Sequence, residues 1–443
     1  MPEISEIVDV TISVQSSALS RKGFNSLMIV GDADDFDSGF AEYEVRKYTS
    51  YAQISADTDI LDGDLKDRAQ VSFAQSPAVP ELYISKVDNT KVAQVGDVDL
   101  VTGNFAPGSS TWEVLYNGTP ISGSPVPYTA SFEVTMGNVA TALQADARIA
   151  TAVFNGSDTI TVTGEESSGT FEIQVNDTFQ GDDSTFNVTT PGNPGLTSAS
   201  LDAIASNNNT WFGYAQVFED VADIQTASAW VAANKKYGFF LQTGFNANMN
   251  LNSNYSCLWY TDNSYSGVAR PLEVALASRV LALVPGSYTA AFKSLELVST
   301  TQLTATQESD LRNEDVNQYS VVAGESITWN GVTSNGSWID LYIGVLYLEA
   351  RIEEDVFATI KARDKVPFTN DGINLIVGAV QNRLQQSVDE QFLTDDPAPV
   401  TSAPLASEVN ATDKSNRLLS PVTFTAYTAG AIQTVKINGI VVA

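Results

Sequence analysis

The 443-residue chain contains no histidine. This absence excludes Ser-His-Asp and Cys-His catalytic pairs, histidine-ligated metals and imidazole acid–base chemistry. The single cysteine, Cys257, excludes a disulfide framework within the chain, and its apolar surroundings predict a buried, inert thiol. The sequence also has no glycine-rich phosphate loop. We therefore expect no catalytic residue, no metal and no cofactor.

Basic residues are scarce, with 23 Lys and Arg against 53 Asp and Glu and a net charge of -30. Such charge repels nucleic acid and anionic membrane, so neither is expected as a direct partner. No apolar run approaches the roughly 20 residues that span a bilayer, and residues 1–6 lack the features of a secretion signal. We expect a soluble protein made in the cytosol, whose 43% hydrophobic residues support a packed core in two or three domains.

An interrupted α/β domain is predicted from strands and helices that alternate on both sides of residues 88–195. The run Leu27–Val30 is wholly apolar, as in buried parallel strands, and a helix over 64–75 and a strand over 81–87 follow. After residue 196 the pattern resumes with helices near 197–205, 221–234 and 271–283 and strands near 211–217, 237–243 and 255–260.

Residues 88–195 have a different character. Short alternating runs such as Thr159–Thr163 are separated by Asn-Gly, Gly-Ser and Pro-Gly turns, which is typical of antiparallel sheets. Only the stretch from Val139 to Ala150 is predicted to be helical here. The segment is therefore predicted to be an antiparallel β domain inserted into a surface loop of the α/β domain.

Two long amphipathic helices are predicted near the C-terminus. The first carries an apolar stripe of Trp338, Leu341, Tyr342, Val345, Leu348, Ile352, Val356 and Ile360. A Pro-containing turn over 365–372 leads to the second, which Thr369 or Asn370 can cap and which ends near Phe392. Each helix would leave an apolar strip that needs a sheet or a partner.

Both chain ends are predicted to be strand arms. Residues 4–15 alternate, with Val8, Val10, Ile12 and Val14 on one face. Near the other end, 422–427 and 432–442 are predicted strands, and the second carries Ile432, Val435, Ile437 and Val441. A terminal strand on a loose tether can pair across a subunit boundary.

The fold class expected from these patterns is a multidomain α/β and α+β protein. The predicted domains are an N-terminal arm and linker (1–23), a discontinuous α/β domain (24–87 plus 196–293), an inserted β-rich outer domain (88–195), an inner assembly domain (294–429) and a C-terminal arm (430–443).

Several short motifs, in their order along the chain, resemble those of contractile phage tail sheath proteins. They are Arg21–Asn25 before an apolar strand, Ser72–Pro77 before a strand, Ala229–Asn234 at a helix end, Phe292–Leu295, Trp338–Asp340 before a long helix, Lys365–Gly372 and Gly430–Ile432. The resemblance covers nearly the whole chain outside the β insertion.

The resemblance implies a non-enzymatic structural subunit. Such subunits stack as six-fold rings around an inner tail tube, and their arms add strands to sheets of neighbouring subunits. The sleeve contracts and drives the tube through a cell envelope. The implied partners are further copies of the chain, the tail tube protein, and the baseplate and tail terminator proteins. The implied location is the virion, in a phage tail assembled in the host cytoplasm.

Two other functions remain open on the residues alone. One is a sugar-binding surface protein that uses Trp112, Tyr116, Phe132 and Phe171 of the insertion, although core packing explains these aromatics better. The other is a carboxylate-dependent hydrolase using Glu353 and Glu354, or Glu165 and Glu166. Adjacent residues on a helix point apart, so a charged outer face explains Glu353 and Glu354 better. An acidic loop at Asp32–Asp37 does not fit the EF-hand spacing and is expected to be solvated.

Overall fold

The computed structural model describes residues 22–100, 110–166, 169–177, 184–243, 249–262 and 271–439. The chain forms two compact units. The α/β unit comprises residues 25–282 and 292–336, and the helix–ribbon unit comprises the described parts of 1–24, 283–291 and 337–443. The predicted arm residues Val8, Val10, Ile12, Val14 and Val441 lie outside the described residues.

The α/β unit begins as predicted, with a wholly buried strand. Its first elements are β1 (Ser26–Asp32), β2 (Val45–Tyr48), α1 (Tyr51–Ala56), α2 (Asp64–Ala74) and β3 (Glu81–Val87). Strand β1 pairs in parallel with β3, and β2 pairs antiparallel with β3 on its other side. The side chains of Leu27 to Val30 are fully buried, as a wholly apolar run requires.

In its described residues the insertion forms two antiparallel sheets and one helix. Its elements are β4 (Val95–Asp99), β5 (Thr111–Tyr116), β6 (Thr119–Pro120), β7 (Val126–Pro127), α3 (Phe132–Gln144), β8 (Ile149–Phe154), β9 (Thr159–Gly164), β10 (Ile173–Asp177) and β11 (Thr185–Thr190). One sheet has the order β11-β4-β9-β8, and the other has the order β10-β5-β6 with β7 beside β5. The insertion encloses a hydrophobic core of its own.

The helix predicted from Val139 to Ala150 is misplaced. Helix α3 begins at Phe132 because the Ser131 hydroxyl accepts a hydrogen bond of 3.2 Å from the Val134 N–H, an N-cap the prediction overlooked. It ends at Gln144, and Ile149 already belongs to β8, where Ile149 and Ala152 are buried.

After the insertion, the chain completes an eight-stranded sheet. The remaining elements of this unit are α4 (Ser198–Asn207), β12 (Gly213–Gln216), α5 (Val221–Ala233), β13 (Tyr237–Gln242), β14 (Ser256–Tyr260), α6 (Leu272–Leu281), α7 (Ala305–Asn313), β15 (Val316–Val322) and β16 (Glu325–Trp329). The strand order is β16-β15-β14-β13-β12-β1-β3-β2. Strands from both sides of the insertion thus lie side by side, and β1 pairs in parallel with β12.

Strand β15 was not predicted, and it changes the assignment of residues 294–336. These residues were expected in the inner assembly domain, but β15 pairs in parallel with β14 and β16 pairs with β15. The strand is hidden in the sequence because three of its five buried residues, Asn317, Gln318 and Ser320, are polar. Asn317 is fully buried, and its side chain donates to the Leu258 and Val332 carbonyls at 3.0 and 2.7 Å and accepts from the Gly331 N–H at 2.8 Å.

The helix–ribbon unit contains α8 (Ile339–Lys361), α9 (Asn370–Asp389), β17 (Val400–Ser402), α10 (Ala411–Ser415) and β18 (Thr423–Thr425). The strand predicted over 422–427 is confirmed at its centre. The strand predicted over 432–442 is not formed in its described part, since residues 431–439 have no strand partner within the described chain. None of the described helices combines the length and apolarity that crossing a membrane requires.

Candidate assembly site

Helices α8 and α9 form an antiparallel hairpin with a small core of its own. Its buried members are Leu348, Val380, Leu384, Phe392 and Leu393. As predicted, Thr369 caps α9, and its hydroxyl accepts a hydrogen bond of 3.2 Å from the Gly372 N–H. The nearly buried Arg383 on α9 donates to the Asp355 carboxylate on α8 at 2.7 Å, which fixes the two helices in register.

The stripe predicted for α8 is only partly correct. Leu341, Leu348, Ile352 and Val356 take part in the hairpin core, but Trp338, Val345 and Ile360 are 46, 46 and 49% exposed. Ile339, Ile343 and Leu346 are buried in their place. Apolar residues surround most of the circumference of this helix, so the period of 3.6 residues does not select one face.

The chain enters this unit through a clamp on α8. The Lys22 N–H donates to the Glu354 carboxylate at 2.7 Å, and the Arg351 guanidinium donates to the Lys22 carbonyl at 3.2 Å. The Phe24 ring meets the Tyr347 ring edge-on at 5.3 Å. Burial opposes the charge on Arg351, but hydrogen bonds to Tyr347 and Glu354 outweigh it and raise the pKa of the guanidinium. Lys22, the first residue that the structure describes, is therefore fixed on α8.

Strands β17 and β18 form a two-stranded antiparallel ribbon of three residue pairs. The outer edge of β17 is occupied at its centre, because the Thr401 N–H donates to the Gln381 side chain at 3.1 Å. The side chains of Val400 and Phe424 are 63 and 45% exposed. An isolated two-stranded ribbon has little stability of its own, so this ribbon depends on its contact with α9. It is able to accept further strands.

The outer edge of β18 is open. Residues opposite each other in an antiparallel pair alternate between exchanging and not exchanging backbone hydrogen bonds. Since the Thr401 N–H points away from β18, its opposite residue Phe424 must point its own N–H and C=O away from β17. Within the described chain no group pairs with them. This edge is a template for a strand from elsewhere.

The C-terminal arm begins shortly after this ribbon. The Ala429 N–H donates to the Phe392 carbonyl at 2.9 Å, which anchors the arm root. Gly430 then adopts φ +63, a conformation that favours glycine. Beyond it, the predicted arm residues Ile432, Val435 and Ile437 are 86, 70 and 87% exposed. The structure thus places these three together on one exposed segment, which Gln433 tethers by a 2.9 Å hydrogen bond to Thr289.

A cavity of about 630 Å³ lies at the arm root, within the same unit. Its apolar wall comprises Trp338, Leu341, Phe392 and Leu393, and its rim includes Gly430 and Gln433. Phe392 itself is held by two glycines, Gly286 and Gly344, where an added Cβ would collide with its ring. The sequence gives no direct signal for this cavity.

The turn between α8 and α9 forms an exposed tip that is basic within an acidic chain. Lys361, Arg363 and Lys365 are all exposed, and no ion pair joins them to a carboxylate of the described residues. The neighbouring Phe357 and Ile360 are 54 and 49% exposed. The sequence pattern places Ile360 in the predicted apolar stripe and Lys365 in the predicted Pro-containing turn, and no local pattern marks the five positions as one surface.

The residues considered for sugar binding form the core of the insertion. Trp112, Tyr116 and Phe171 are 2, 4 and 5% exposed, and the rings of Tyr116 and Phe171 stack at 5.4 Å. Phe132 packs against the same core. These aromatics are therefore committed to folding rather than displayed for stacking on a sugar ring.

The groups considered for catalysis are likewise engaged in structure. Glu354 pairs with Arg351 at 2.7 Å. The described residues contain no group of three or more acidic or cysteine side chains arranged to hold a metal ion. Cys257 is fully buried, and burial raises the pKa of its thiol to about 12, which makes it a poor nucleophile.

No family model and no curated protein matches the sequence. Among solved structures, the sheath complex of an extracellular contractile injection system (PVC) in its contracted state has a chain with a TM-score of 0.53 at 9% identity, covering 96% of each chain. A sheath tail protein from Desulfitobacterium hafniense has a TM-score of 0.44 at 10% identity, covering 89% of this chain and 93% of its own. A chain of the anti-feeding prophage baseplate has a TM-score of 0.44 at 14% identity, covering 55 and 72%. The fold assignment rests on the first of the three, which confirms the sheath resemblance at the level of the fold.

Proposed function

Because the chain has the fold of a contractile sheath subunit, we propose that it is a non-enzymatic structural protein of a contractile tail. Copies stack as six-fold rings around an inner tube, and contraction of the sleeve drives the tube through a cell envelope. The observation that carries the proposal is that one unit contains both an open strand edge, at β18, and an exposed arm that pairs with no described strand.

Strand donation between copies explains both features. The arm residues Ile432 and Ile437 are apolar and solvent-exposed, and the outward N–H and C=O of Phe424 have no hydrogen-bond partner within the described chain. A strand from a neighbouring copy would satisfy these backbone groups and cover the apolar side chains at once. The N-terminal arm, with Val8 to Val14, is the second donor in this scheme, and its root at Lys22 is fixed to α8.

Donation from one copy to the next is a head-to-tail contact. Such a contact does not close on itself unless the rotation is a whole fraction of a turn, so it generates rings or helical stacks. Contraction then exchanges one set of contacts between rigid subunits for a more favourable set. The arms keep the copies connected during this exchange, because a donated strand stays paired with its acceptor while the bodies that it joins are displaced.

The basic tip of the α8–α9 hairpin is the surface we assign to the tube protein. Lys361, Arg363 and Lys365 would attract an acidic tube wall, and Phe357 and Ile360 would add apolar contact. The baseplate and terminator proteins are the partners proposed for the two ends of the sleeve. The site of action is the virion of a phage, or a related injection device, after assembly in the host cytoplasm.

A triple substitution in the arm tests the proposal. Ile432→Ser, Val435→Ser and Ile437→Ser keep the chain length and remove the apolar face, so the variant should remain a folded monomer that forms no sleeves. Negative-stain microscopy of the purified protein, alone and with a candidate tube protein, reads out the result. The matched control is Leu405→Ser with Leu418→Ser, which removes side chains of 53 and 51% exposure in the same unit.

The expected outcome is sleeves from the wild type and the control, and none from the arm variant. Sleeves from the arm variant would show that strand donation by the C-terminal arm is wrong. Monodisperse wild-type particles in every salt condition, with and without a tube protein, would refute the sheath function itself.

A further inference from the structure

One sheet of the insertion ends in two edge strands. Its strand order is β11-β4-β9-β8, so β8 and β11 each pair on one side only within the described chain. Soluble proteins usually protect such edges with charged residues, proline or a covering segment, because an open edge pairs with strands of other molecules.

Neither edge strand carries a charged residue, although the insertion as a whole is acidic. Residues 88–195 hold 13 acidic and 2 basic residues, a net charge of -11, yet neither six-residue edge strand carries one. The carboxylates Asp97 and Asp99 lie instead on the inner strand β4, where they bind Thr161 and Asn187 at 2.7 Å. Val153, near the end of β8, is 62% exposed.

The two edges also match each other in direction. The three successive pairings of this sheet are all antiparallel, so β8 and β11 run in opposite directions. Placed beside β8 of a second copy, β11 would therefore continue the same antiparallel alternation. Each edge has a register irregularity at one end, which leaves the regular stretches Thr151–Phe154 and Thr185–Val188 for pairing.

We propose that β8 of one copy pairs with β11 of the next, so that the insertions of neighbouring subunits join into a continuous sheet. The partner is thus a second copy of this chain, and the inference rests on the proposed function, which supplies the array of copies. The contact is heterologous and propagates in one direction, as a polar stack of subunits requires. Self-pairing of β8 would instead give closed dimers, which a polar stack cannot contain.

Cysteine cross-linking in assembled sleeves tests this contact. The only native cysteine, Cys257, is fully buried, so introduced thiols report alone. Two double variants, Val153→Cys with Asn187→Cys and Val153→Cys with Thr185→Cys, place one thiol on each edge. Within one chain the two thiols are three strands apart, or about 14 Å, too far for an intramolecular disulfide.

Oxidised sleeves of at least one double variant should give a ladder of oligomers on a non-reducing gel. The control is Thr161→Cys with Asn187→Cys, in which one thiol lies on the inner strand β9 and no ladder should form. Thr151→Cys with Asn187→Cys is a third pair that places one thiol on each edge. Where this pair cross-links, adding Val153→Lys should remove the cross-link, whereas adding Thr161→Lys should not.

The outcomes separate the two proposals. Intact sleeves without a ladder in either double variant would overturn the edge pairing and leave the sheath function standing. Dimers from Val153→Cys alone would also overturn it, in favour of self-pairing. Absence of sleeves under all conditions would refute the sheath function and the edge pairing with it.

Discussion

The surroundings of the Asp35 side chain disfavour its charged form. It lies in a short 3-10 turn, Ala33–Asp35, that follows β1, and it accepts a 2.9 Å hydrogen bond from the Asp32 N–H. Burial raises the pKa of Asp35 to about 6, and the nearby Asp64 and Asp32 carboxylates add to the increase. Between the model-peptide value of 3.8 and about 6, the folded chain therefore binds more protons at this position than the unfolded chain. The contribution of Asp35 to stability falls as the pH rises through this window.

Asp35→Asn should consequently stabilise the α/β unit above the window. Asparagine keeps an acceptor for the Asp32 N–H and removes the partly buried charge, so we expect a gain on the order of 2 kcal/mol at about pH 7.5 and about half of that gain at about pH 5. Urea unfolding of the dilute monomer at both pH values measures the difference. The exposed neighbour Asp34→Asn removes the same charge and is the control. An equal gain at both pH values would contradict the assignment.

At the scale of elements, Gly344 and Gly378 occupy comparable helical positions in different surroundings. Both lie inside long helices, α8 and α9, where replacing glycine by alanine ordinarily adds about 1 kcal/mol to stability. An added Cβ at Gly378 meets nothing within 4 Å, whereas at Gly344 it collides with the Phe392 ring. Gly378→Ala should therefore stabilise the helix–ribbon unit by about 0.5–1 kcal/mol, and Gly344→Ala should destabilise it by about 1–3 kcal/mol through overpacking.

Chemical unfolding of the two single variants, measured beside the wild type, gives both values. The comparison isolates packing, since the propensity gain is the same in each. Equal stabilisation by the two substitutions would mean that Phe392 does not hold the position described. Displacement of Phe392 should also enlarge or distort the cavity at the arm root, so Gly344→Ala should impair sleeve formation while Gly378→Ala should not.

The elements that could be predicted from the sequence are those whose local pattern agrees with their environment. Strands β1 and β3 are apolar and buried, and Thr369 is a standard N-cap, so all three were found. Strand β15 was missed because its buried Asn317 is satisfied by residues distant in the chain, which no local pattern encodes. The face of α8 was ambiguous because apolar residues surround it. The C-terminal arm has a strand pattern without a strand, because a strand needs a partner that its own described chain does not provide.

At the scale of the whole molecule, charge is distributed unevenly between the parts that must assemble. The insertion, residues 88–195, has a net charge of -11, from 13 acidic and 2 basic residues. Residues 337–443, nearly the same length, have 13 acidic and 8 basic residues and a net charge of only -5. The segment that carries the C-terminal arm, the ribbon and the basic tip is thus the less acidic one, which reduces the repulsion where this arm is proposed to join copies.

The total of -30 still opposes the packing of many copies, so sleeve formation should depend on salt in a specific direction. The screening length falls from about 30 Å at 0.01 M to about 8 Å at 0.15 M ionic strength, while donated strands and apolar arm contacts do not depend on charge. We expect the protein concentration needed for sleeves to fall as sodium chloride rises over this range, measured by sedimentation and negative-stain microscopy.

Binding of the basic tip to an acidic tube should weaken over the same range, because screening acts on attraction as well. The arm variant with three serines should stay monomeric throughout, which separates screening from non-specific precipitation. A threshold that rises with salt would mean that attraction between opposite charges, rather than strand donation, holds the copies together.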